Sequence, residues 1–292
     1  MRAVGSYRFS QVDVFSDAPL LGNPVAVVHD ADDLSEEQMA AFARWTNLSE
    51  TTFLLRPTVA GADYRLRIFT PGAELPFAGH PTLGSAHAWL EAGGVAAAPG
   101  RVVQECGAGL VVVHRGAGDD GGGGRLAFEA PPLLRSGPVS ADDLARVRRA
   151  LRLDEAAVVD AAWVDNGPGW VGVLLGSAAE VLAVEPDWSV FGDLDVGVVG
   201  AYPPGAEAAV EVRAFCPGLG VVEDPVTGSL NAGLGQWLAG DVLPASYVAS
   251  QGTALGRRGR VHVDRVGEVV RVGGATRTTV AGHVDLGGPA AE

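Results

Sequence analysis

Basic residues, cysteines and long apolar runs are all scarce in this chain. Its 21 Lys and Arg residues are outnumbered by 35 Asp and Glu residues, which gives a formal net charge of −14. A domain this acidic repels nucleic acid and anionic membranes, because phosphate binding depends on clustered basic side chains. The nearest approach to a basic cluster is Arg257, Arg258 and Arg260, and that run is too short to change the exclusion.

The two cysteines, Cys106 and Cys216, have no metal-binding spacing and do not make a disulfide framework. No window approaches about 18 consecutive apolar residues, so no membrane span is predicted. Residues 1–15 lack the apolar core and small-residue cleavage site of a signal peptide. We therefore expect a cytoplasmic enzyme or binding protein. Its 292 residues suffice for one large domain or two ordinary ones.

The apolar periodicity predicts a mixture of strands and helices. Ser35 and Gln38 form a capping box and Leu34 and Met39 a hydrophobic staple, so a helix is expected from about 36 to 45 with Met39, Phe42 and Ala43 inward. Ser140 is expected to cap a second helix at 141–151. Alternating, β-branched or aromatic segments predict strands at 7–15, at 22–28, from near Glu50 to 55 and at 64–69.

A glycine-rich run interrupts this pattern between residues 107 and 124. It contains GAGDDGGGG but lacks the Lys of a phosphate-binding loop. A flexible hairpin tip or linker is the better interpretation. The sequence is therefore divided into an N-terminal half, 1–122, and a C-terminal half, 123–276.

Two segments of the chain resemble each other. Residues 67–90 read RIFTPGAELPFAGHPTLGSAHAWL, and residues 213–238 read RAFCPGLGVVEDPVTGSLNAGLGQWL. Nine identities in the same order predict an internal duplication, with the order strand, tight turn, loop and helix in each copy. Two helix N-termini would each offer backbone N–H groups and a partial positive charge to an anion.

The alignment of the two copies pairs His80 with Asp224, each directly before the proline of its helix. A His and an Asp placed in this way could share protons, and Glu50 in LSETT is a third candidate, flanked by hydroxyls. Taken singly, His80 is more often a structural histidine, Asp224 a helix cap and Glu50 an exposed acid. Symmetric placement favours a reaction site. Cys216, in the strand of its copy, is interpreted as a buried, inert thiol.

Five segments together resemble the phenazine-biosynthesis PhzF-like isomerases, which share the diaminopimelate epimerase fold. They are spaced along nearly the whole chain in the order of that family. The segments are DVFSDAPLLGNPVAVV (13–28), NLSETTFLL (47–55), FTPGAELPFAGHPTLGSAHAWL (69–90), EDPVTGSLNAG (223–233) and QGTALGRRGRVHV (251–263).

The resemblance implies an α+β fold of two pseudo-symmetric domains. Each would be a curved, mostly antiparallel sheet or barrel around a central helix, the two helices starting at His80 and Asp224. The final strand, about 277–286, would return to the first domain, which then also includes 277–292. The resemblance also implies an active site between the halves, a homodimer, and no cofactor or metal.

Carried over to this sequence, Glu50 would be the acid/base, while His80 and Asp224 would hold polar groups of the substrate. Ser229, with backbone N–H groups near Gly79 and Gly228, would bind its carboxylate, and Ser49 would line the same site. The epimerase branch of the fold uses two cysteines at the helix starts. His80 and Asp224 fill those places here, which argues against racemisation by a thiol pair.

These observations predict a cofactor-independent isomerase that moves a proton within a small carboxylated metabolite such as trans-2,3-dihydro-3-hydroxyanthranilate. A carboxylate shielded from water can remove a proton and return it elsewhere on the same face. Glu50 lies between apolar Leu48 and Phe53. The alternatives are an epimerase or cyclase acting on an amino-acid-derived compound, a non-catalytic metabolite-binding protein, and, more weakly, a metallohydrolase.

Overall fold

The computed structural model describes residues 5–116, 125–219 and 221–287. Its contacts divide the chain into two compact units. The first unit contains Met1–Phe128 and Gly274–Glu292, and the second contains Glu129–Gly273. The predicted boundary between residues 122 and 123, and residues 117–124 of the GAGDDGGGG segment, lie outside the described residues; the chain just before that segment, Gly109–Arg115, is a strand.

The first unit is a mostly antiparallel sheet with one helix against its concave side. The spatial order is β18-β1-β2-β3-β4-β6-β7-β8; the β2–β3 and β4–β6 pairs are parallel, and β5 is a short strand beside β4. The strands are β1 Ser6–Val14, β2 Asn23–Val28, β3 Glu50–Leu55, β4 Tyr64–Phe69, β5 Glu74–Leu75, β6 Arg101–Cys106, β7 Gly109–Arg115, β8 Leu126–Glu129 and, from the end of the chain, β18 Thr276–Asp285.

The helices of the first unit have different surroundings. Helix α1, Glu36–Thr46, buries Met39, Phe42 and Ala43 and has the predicted capping box at Ser35. Helix α2, Gly79–Glu91, contacts β1, β2, β3, β4, β6, β7 and β18, so the sheet curves around it. A Cβ at Gly84 of α2 would lie 2.3 Å from Val25 Cγ1, and this close approach explains the glycine.

The second unit repeats the same pairing pattern. β10–β11 is antiparallel, β11–β12 parallel, β12–β13 antiparallel, β13–β15 parallel, and β15–β16 and β16–β17 antiparallel. β14 and β9 pair antiparallel with β13 and β10. The strands are β9 Arg135–Pro138, β10 Val158–Asp165, β11 Trp170–Leu175, β12 Asp195–Ala201, β13 Val210–Cys216, β14 Val221–Asp224, β15 Ser246–Gln251, β16 Gly259–Val266 and β17 Val269–Gly274.

The helices of the second unit are α3 Ala141–Leu151, α4 Ala178–Leu182, α5 Trp188–Phe191 and α6 Gly228–Leu238. Ser140 caps α3, as predicted, by accepting a hydrogen bond from the Asp143 N–H. Helix α6 contacts β10, β11 and β16 and takes the place that α2 has in the first unit. The shared topology therefore confirms the internal duplication, and each copy has the predicted order of strand, turn and helix.

A matched ion pair marks both copies of the repeat. Arg67 on β4 makes a bidentate pair with Glu74, and its guanidinium lies 5.1 Å from the Phe69 ring. Arg213 on β13 likewise makes a bidentate pair with Glu223 and lies 4.8 Å from the ring of the aligned Phe215. The arginines aligned by the repeat thus have equivalent partners, although Glu74 on β5 and Glu223 on β14 are not aligned with each other.

Candidate active site

The two predicted reactive residues of the first unit are brought together. Glu50 is the first residue of β3, and His80 lies in the first turn of α2. Glu50 Oε2 is 3.3 Å from His80 Nε2, and only 15% of the Glu50 side chain and 6% of the His80 side chain are exposed. An acid and an imidazole therefore share a largely buried location at the N-terminal end of α2.

The electrostatics of this location keep His80 uncharged. Burial lowers the pKa of His80 from 6.5 to about 3, and a hydrogen bond with the Pro24 backbone offsets only part of that effect. Because proline has no N–H, the His80 ring must be the donor to the Pro24 carbonyl. At neutral pH the imidazole next to Glu50 is neutral.

Asn23 of the GNP segment lies beside His80, and Asp13 of β1 binds the backbone just before that segment; sequence reasoning did not assign either residue a role. Asn23 is fully buried, and its Nδ2 lies 3.4 Å from His80 Nδ1. Asp13 accepts the backbone N–H groups of Leu21 and Gly22, each at 3.0 Å. A Cβ at Gly22 would lie 2.2 Å from the Val14 carbonyl oxygen, so glycine is required where the loop closes on β1. The sequence does not show that Asn23 is buried, and its burial is the signal that would have pointed to a role at this site.

Gly79 and Ser49 flank the pair. Gly79 is the first residue of α2, and the preceding Ala78 provides no side-chain cap. The first-turn N–H groups of a helix have no intrahelical partner. Ser49 directly precedes β3 and is half-buried. The structure thus places both residues beside Glu50 and His80 in the chain, but it assigns no ligand to them.

Asp224 is not a helix cap, contrary to the simpler expectation. It is the last residue of β14 and pairs with Ala214 of β13, so its backbone belongs to the sheet ladder. Helix α6 begins at Gly228 with Thr227 as its N-cap residue. The expectation that the second central helix starts at Asp224 is therefore wrong, whereas α2 begins one residue before His80.

The Asp224 carboxylate instead joins a buried polar network. Its Oδ2 accepts a 2.6 Å hydrogen bond from Thr227 Oγ1. Gln251 Nε2 donates to Thr227 Oγ1 and to the Asp224 carbonyl, while its Oε1 accepts from the Thr227 N–H and from Asn231 Nδ2. Gln251 opens the segment QGTALG, and its four hydrogen bonds fix the turn before α6.

Ser229 has a defined orientation in the first turn of α6. Its hydroxyl oxygen accepts a 3.0 Å hydrogen bond from Trp170 Nε1, and its carbonyl accepts a 2.8 Å hydrogen bond from Asn166 Nδ2. With the indole already donating, the Ser229 hydroxyl hydrogen is available to another acceptor. Gly228 is the first residue of α6. The sequence predicted Ser229 and Gly228 but not Trp170 or Asn166.

The site residues thus form two groups, one at each central helix. Glu50, His80 and Asn23 lie at the start of α2; Asp224, Ser229 and Gln251 lie at the start of α6. Among residues 5–116, 125–219 and 221–287 no group of three or more His, Cys, Asp or Glu side chains is arranged to hold a metal ion. Over the same ranges, no helix is long and apolar enough to cross a membrane.

Comparison with known proteins identifies the family. The protein-family sequence model described as phenazine biosynthesis-like protein, PhzC-PhzF, matches residues 12–284. The chain is 36% identical over 304 residues to antisense-enhancing sequence 1 of Schizosaccharomyces pombe, covering 94% of this chain and 98% of that protein. It is 38% identical over 272 residues to the trans-2,3-dihydro-3-hydroxyanthranilate isomerase of Pseudomonas aeruginosa, covering 91% and 93%. A PhzF-family crystal structure from Enterococcus faecalis superposes with a TM-score of 0.78 at 25% identity, covering 96% and 99%.

The chain therefore belongs to the phenazine biosynthesis-like family. It is an enzyme of the isomerase class, as are the curated relatives named for their reaction. The expected diaminopimelate epimerase-like architecture is confirmed by this structural similarity.

Proposed function

We propose that the protein is a cofactor-independent isomerase that shifts a proton within a small carboxylated metabolite, with Glu50 as the acid/base. The observation that carries the proposal is the Glu50–His80 pair, a carboxylate held 3.3 Å from an imidazole in a largely buried position. One carboxylate in such surroundings can serve as base and then as acid.

The proposed reaction is redox-neutral. Glu50 removes a proton from an sp³ carbon next to a double bond, and the electron pair of that C–H bond becomes a new double bond. The original double bond shifts, and its far carbon receives the proton back from Glu50. His80, neutral at the working pH because of its low pKa, contributes a polar group without adding a charge.

The remaining site residues are assigned to binding. The first-turn N–H groups at Gly79 and Gly228 and the Ser229 hydroxyl would hold the substrate carboxylate, since helix N-termini favour anions. Asp224 and Ser49 would contact its other polar groups. This anchoring explains how a chain with a net charge of −14 would bind an anion.

The first substrate to test is trans-2,3-dihydro-3-hydroxyanthranilate, on which the 38% identical relative from Pseudomonas aeruginosa is named to act. We further propose that the protein works in the cytoplasm as a homodimer, independently of nucleic acid. Light scattering of the purified protein tests the dimer, and a monomer at micromolar concentration would refute that part.

The central experiment is proton NMR of this substrate with the purified enzyme in D₂O. Wild type is expected to convert it with deuterium incorporated at the receiving carbon, while Glu50→Gln is expected to lose both conversion and exchange. Glu37→Gln, an exposed acid on α1, is the matched control and should retain full activity.

Four other outcomes would change the assignment. Inversion at one carbon without a shifted double bond would indicate an epimerase, and formation of a ring would indicate a cyclase. Binding with no turnover in either protein would favour a metabolite-binding role. Full activity of Glu50→Gln would remove Glu50 from the mechanism.

A further inference from the structure

Asp195, at the start of β12, belongs to the same surroundings as Ser229, although its place in the sequence gives no hint of this. In the parallel β11–β12 pair, Asp195 lies opposite Trp170. Residues paired across neighbouring strands point to the same face of a sheet. Trp170 uses that face to reach the Ser229 hydroxyl on α6.

Two glycines show that this face of the sheet packs against α6, and they show which way the strands run relative to the helix. Gly197, two residues after Asp195, has its Cβ position 2.3 Å from Leu230 Cδ1 in the first turn of α6. Gly172, two residues after Trp170, faces Leu234 and Trp237 further along the helix. Moving back along either strand therefore moves towards the N-terminus of α6. Asp195, beyond Gly197 in that direction, lies at the level of the helix start.

Two acceptor atoms in this region are buried without a hydrogen-bond partner among the described residues. They are Oδ1 of Asp195 and Oδ1 of Asn166. Asp195 is 9% exposed, and the orientation of the Asn166 amide is fixed by its donation to the Ser229 carbonyl. Leaving such acceptors unpaired is costly, so a donor from a ligand would be stabilising.

The local charges favour a cationic donor. Burial raises the pKa of Asp195 to about 7, with Asp193 and Asp165 adding to the shift. The β-sheet register also brings Cys216 and Asp224 to the α6-facing side, and α6 itself, GSLNAGLGQWL, carries no ionisable side chain. Two carboxyl groups, Asp195 and Asp224, thus lie on the side of the sheet that faces α6, near its N-terminus, and a zwitterion would complement this arrangement.

We propose that Asp195 is a specificity-determining residue that accepts a hydrogen bond from the ammonium group of a ligand whose carboxylate lies on the first turn of α6. Asn166 Oδ1 provides a second acceptor for the same group. The inference rests on the proposed function, since it takes the carboxylate anchor at Ser229 from there, and it narrows the substrate class to amino carboxylic acids.

The test is calorimetric binding of two matched probes, cis-2-aminocyclohexanecarboxylate and cyclohexanecarboxylate, at pH 8. Wild type is expected to bind the amino compound at least about tenfold more tightly, which corresponds to about 1.4 kcal/mol. Asp195→Asn should abolish that preference while changing the Kd of cyclohexanecarboxylate less than about threefold. Asp193→Asn, on the exposed neighbouring acid, should keep the preference.

A pH series measures how the affinity for the amino probe depends on pH, and a purely structural role of Asp195 would not produce such a dependence. Wild-type affinity for the amino probe should weaken as the pH falls below about 7, with protons released on binding, because the ammonium needs ionised Asp195. The Asp195→Asn variant should lack that dependence. A preference that survives in folded Asp195→Asn overturns the inference alone, whereas failure of both probes to bind wild type overturns the carboxylate anchor as well. Deuterium exchange lost in Glu50→Gln would still support the reaction in either case.

Discussion

His80 Nε2 lies 3.3 Å from Glu50 Oε2, so the acid at the start of β3 and the imidazole in the first turn of α2 form one unit. The relationship joins residues 30 positions apart, and both side chains are largely shielded from water. The imidazole is uncharged at neutral pH, since burial holds its pKa at about 3. The carboxylate therefore lies beside a dipole and not beside a fixed positive charge.

Replacing His80 with Asn should leave the protein folded but slow the proton shift. Asn keeps a polar side chain but does not reach as far as imidazole, so the close contact between His80 Nε2 and Glu50 Oε2 is lost. A positioned acid/base contributes about 10²–10⁴-fold to a rate, and a residue that only contacts it contributes less than the whole of that range. We expect a decrease near the lower end, measured as deuterium incorporation from D₂O. His283→Asn, on exposed β18, is the control, and equal rates for the two variants would contradict the assignment.

The same histidine makes stability depend on pH. In the unfolded chain His80 titrates near 6.5, whereas in the folded protein its pKa is about 3. Between these values the unfolded state binds more protons, so the free energy of unfolding falls as the pH drops from about 6.5 towards 3. Urea unfolding of wild type and His80→Asn at pH 7.5, 5.5 and 4.5 measures this effect. The variant should show the shallower decline; parallel declines would mean that His80 is charged in the folded protein.

The sequence predicted most of the elements because their signals are local. The capping box at Ser35, the cap at Ser140 and the strand beginning at Glu50 depend on neighbouring residues, and the structure confirms all three. Cys216 is buried, as expected from its strand position. The internal repeat could also be predicted, since Arg67 of β4 and Arg213 of β13 occupy aligned positions in its two copies.

The hydrogen-bond partners of the site residues could not be predicted from the sequence. Asn23 meets His80, and Gln251 meets Asp224 and Thr227, only because distant strands deliver them to a helix start. Asp224 was expected to start a helix, but pairing with Ala214 extends the strand to that residue. Register decided these contacts, and a single sequence does not reveal which residues lie opposite each other.

Gln251 should be one of the least replaceable residues outside the reacting groups. Gln251→Leu removes four hydrogen bonds and leaves the Thr227 N–H and Asn231 Nδ2 without this acceptor in a buried region. Each orphaned buried group costs about 1–3 kcal/mol, so we expect a loss of roughly 3 kcal/mol in urea unfolding. Gln236→Leu, which removes one hydrogen bond to the Pro131 carbonyl, is the matched control and should cost about 1 kcal/mol. Similar costs for the two variants would show that the turn before α6 does not depend on Gln251.

Gly197 should tolerate no side chain, because β12 approaches α6 closely there. A Cβ would lie 2.3, 2.5 and 2.9 Å from side-chain atoms of Leu230, so Gly197→Ala must displace that side chain or the first turn of α6 that carries it. Overpacking of this kind costs about 1–3 kcal/mol. Gly282→Ala on β18, where the Cβ meets open space, should be neutral or slightly stabilising. Thermal unfolding of both variants makes the comparison, and a neutral Gly197→Ala would mean that Leu230 repacks freely.

Asp195 should affect stability with the opposite sign to His80. Its pKa is about 7 in the folded protein, against 3.8 for an unperturbed Asp, because burial and two neighbouring acids disfavour the charge. Between these values the folded state binds more protons, so the contribution of Asp195 to stability falls as the pH rises from about 4 to 7 and stays low above 7. At pH 8 the free energy of unfolding of Asp195→Asn should therefore exceed that of wild type by up to about a few kcal/mol, seen as a higher urea midpoint. At pH 4.5 the two proteins should differ little. Asp193→Asn, on an 89% exposed side chain paired with Arg146, should show no such gain. A variant less stable than wild type at pH 8 would mean that the ionised Asp195 is stabilised by a partner in the folded protein, and its buried Oδ1 would then not be available to a ligand.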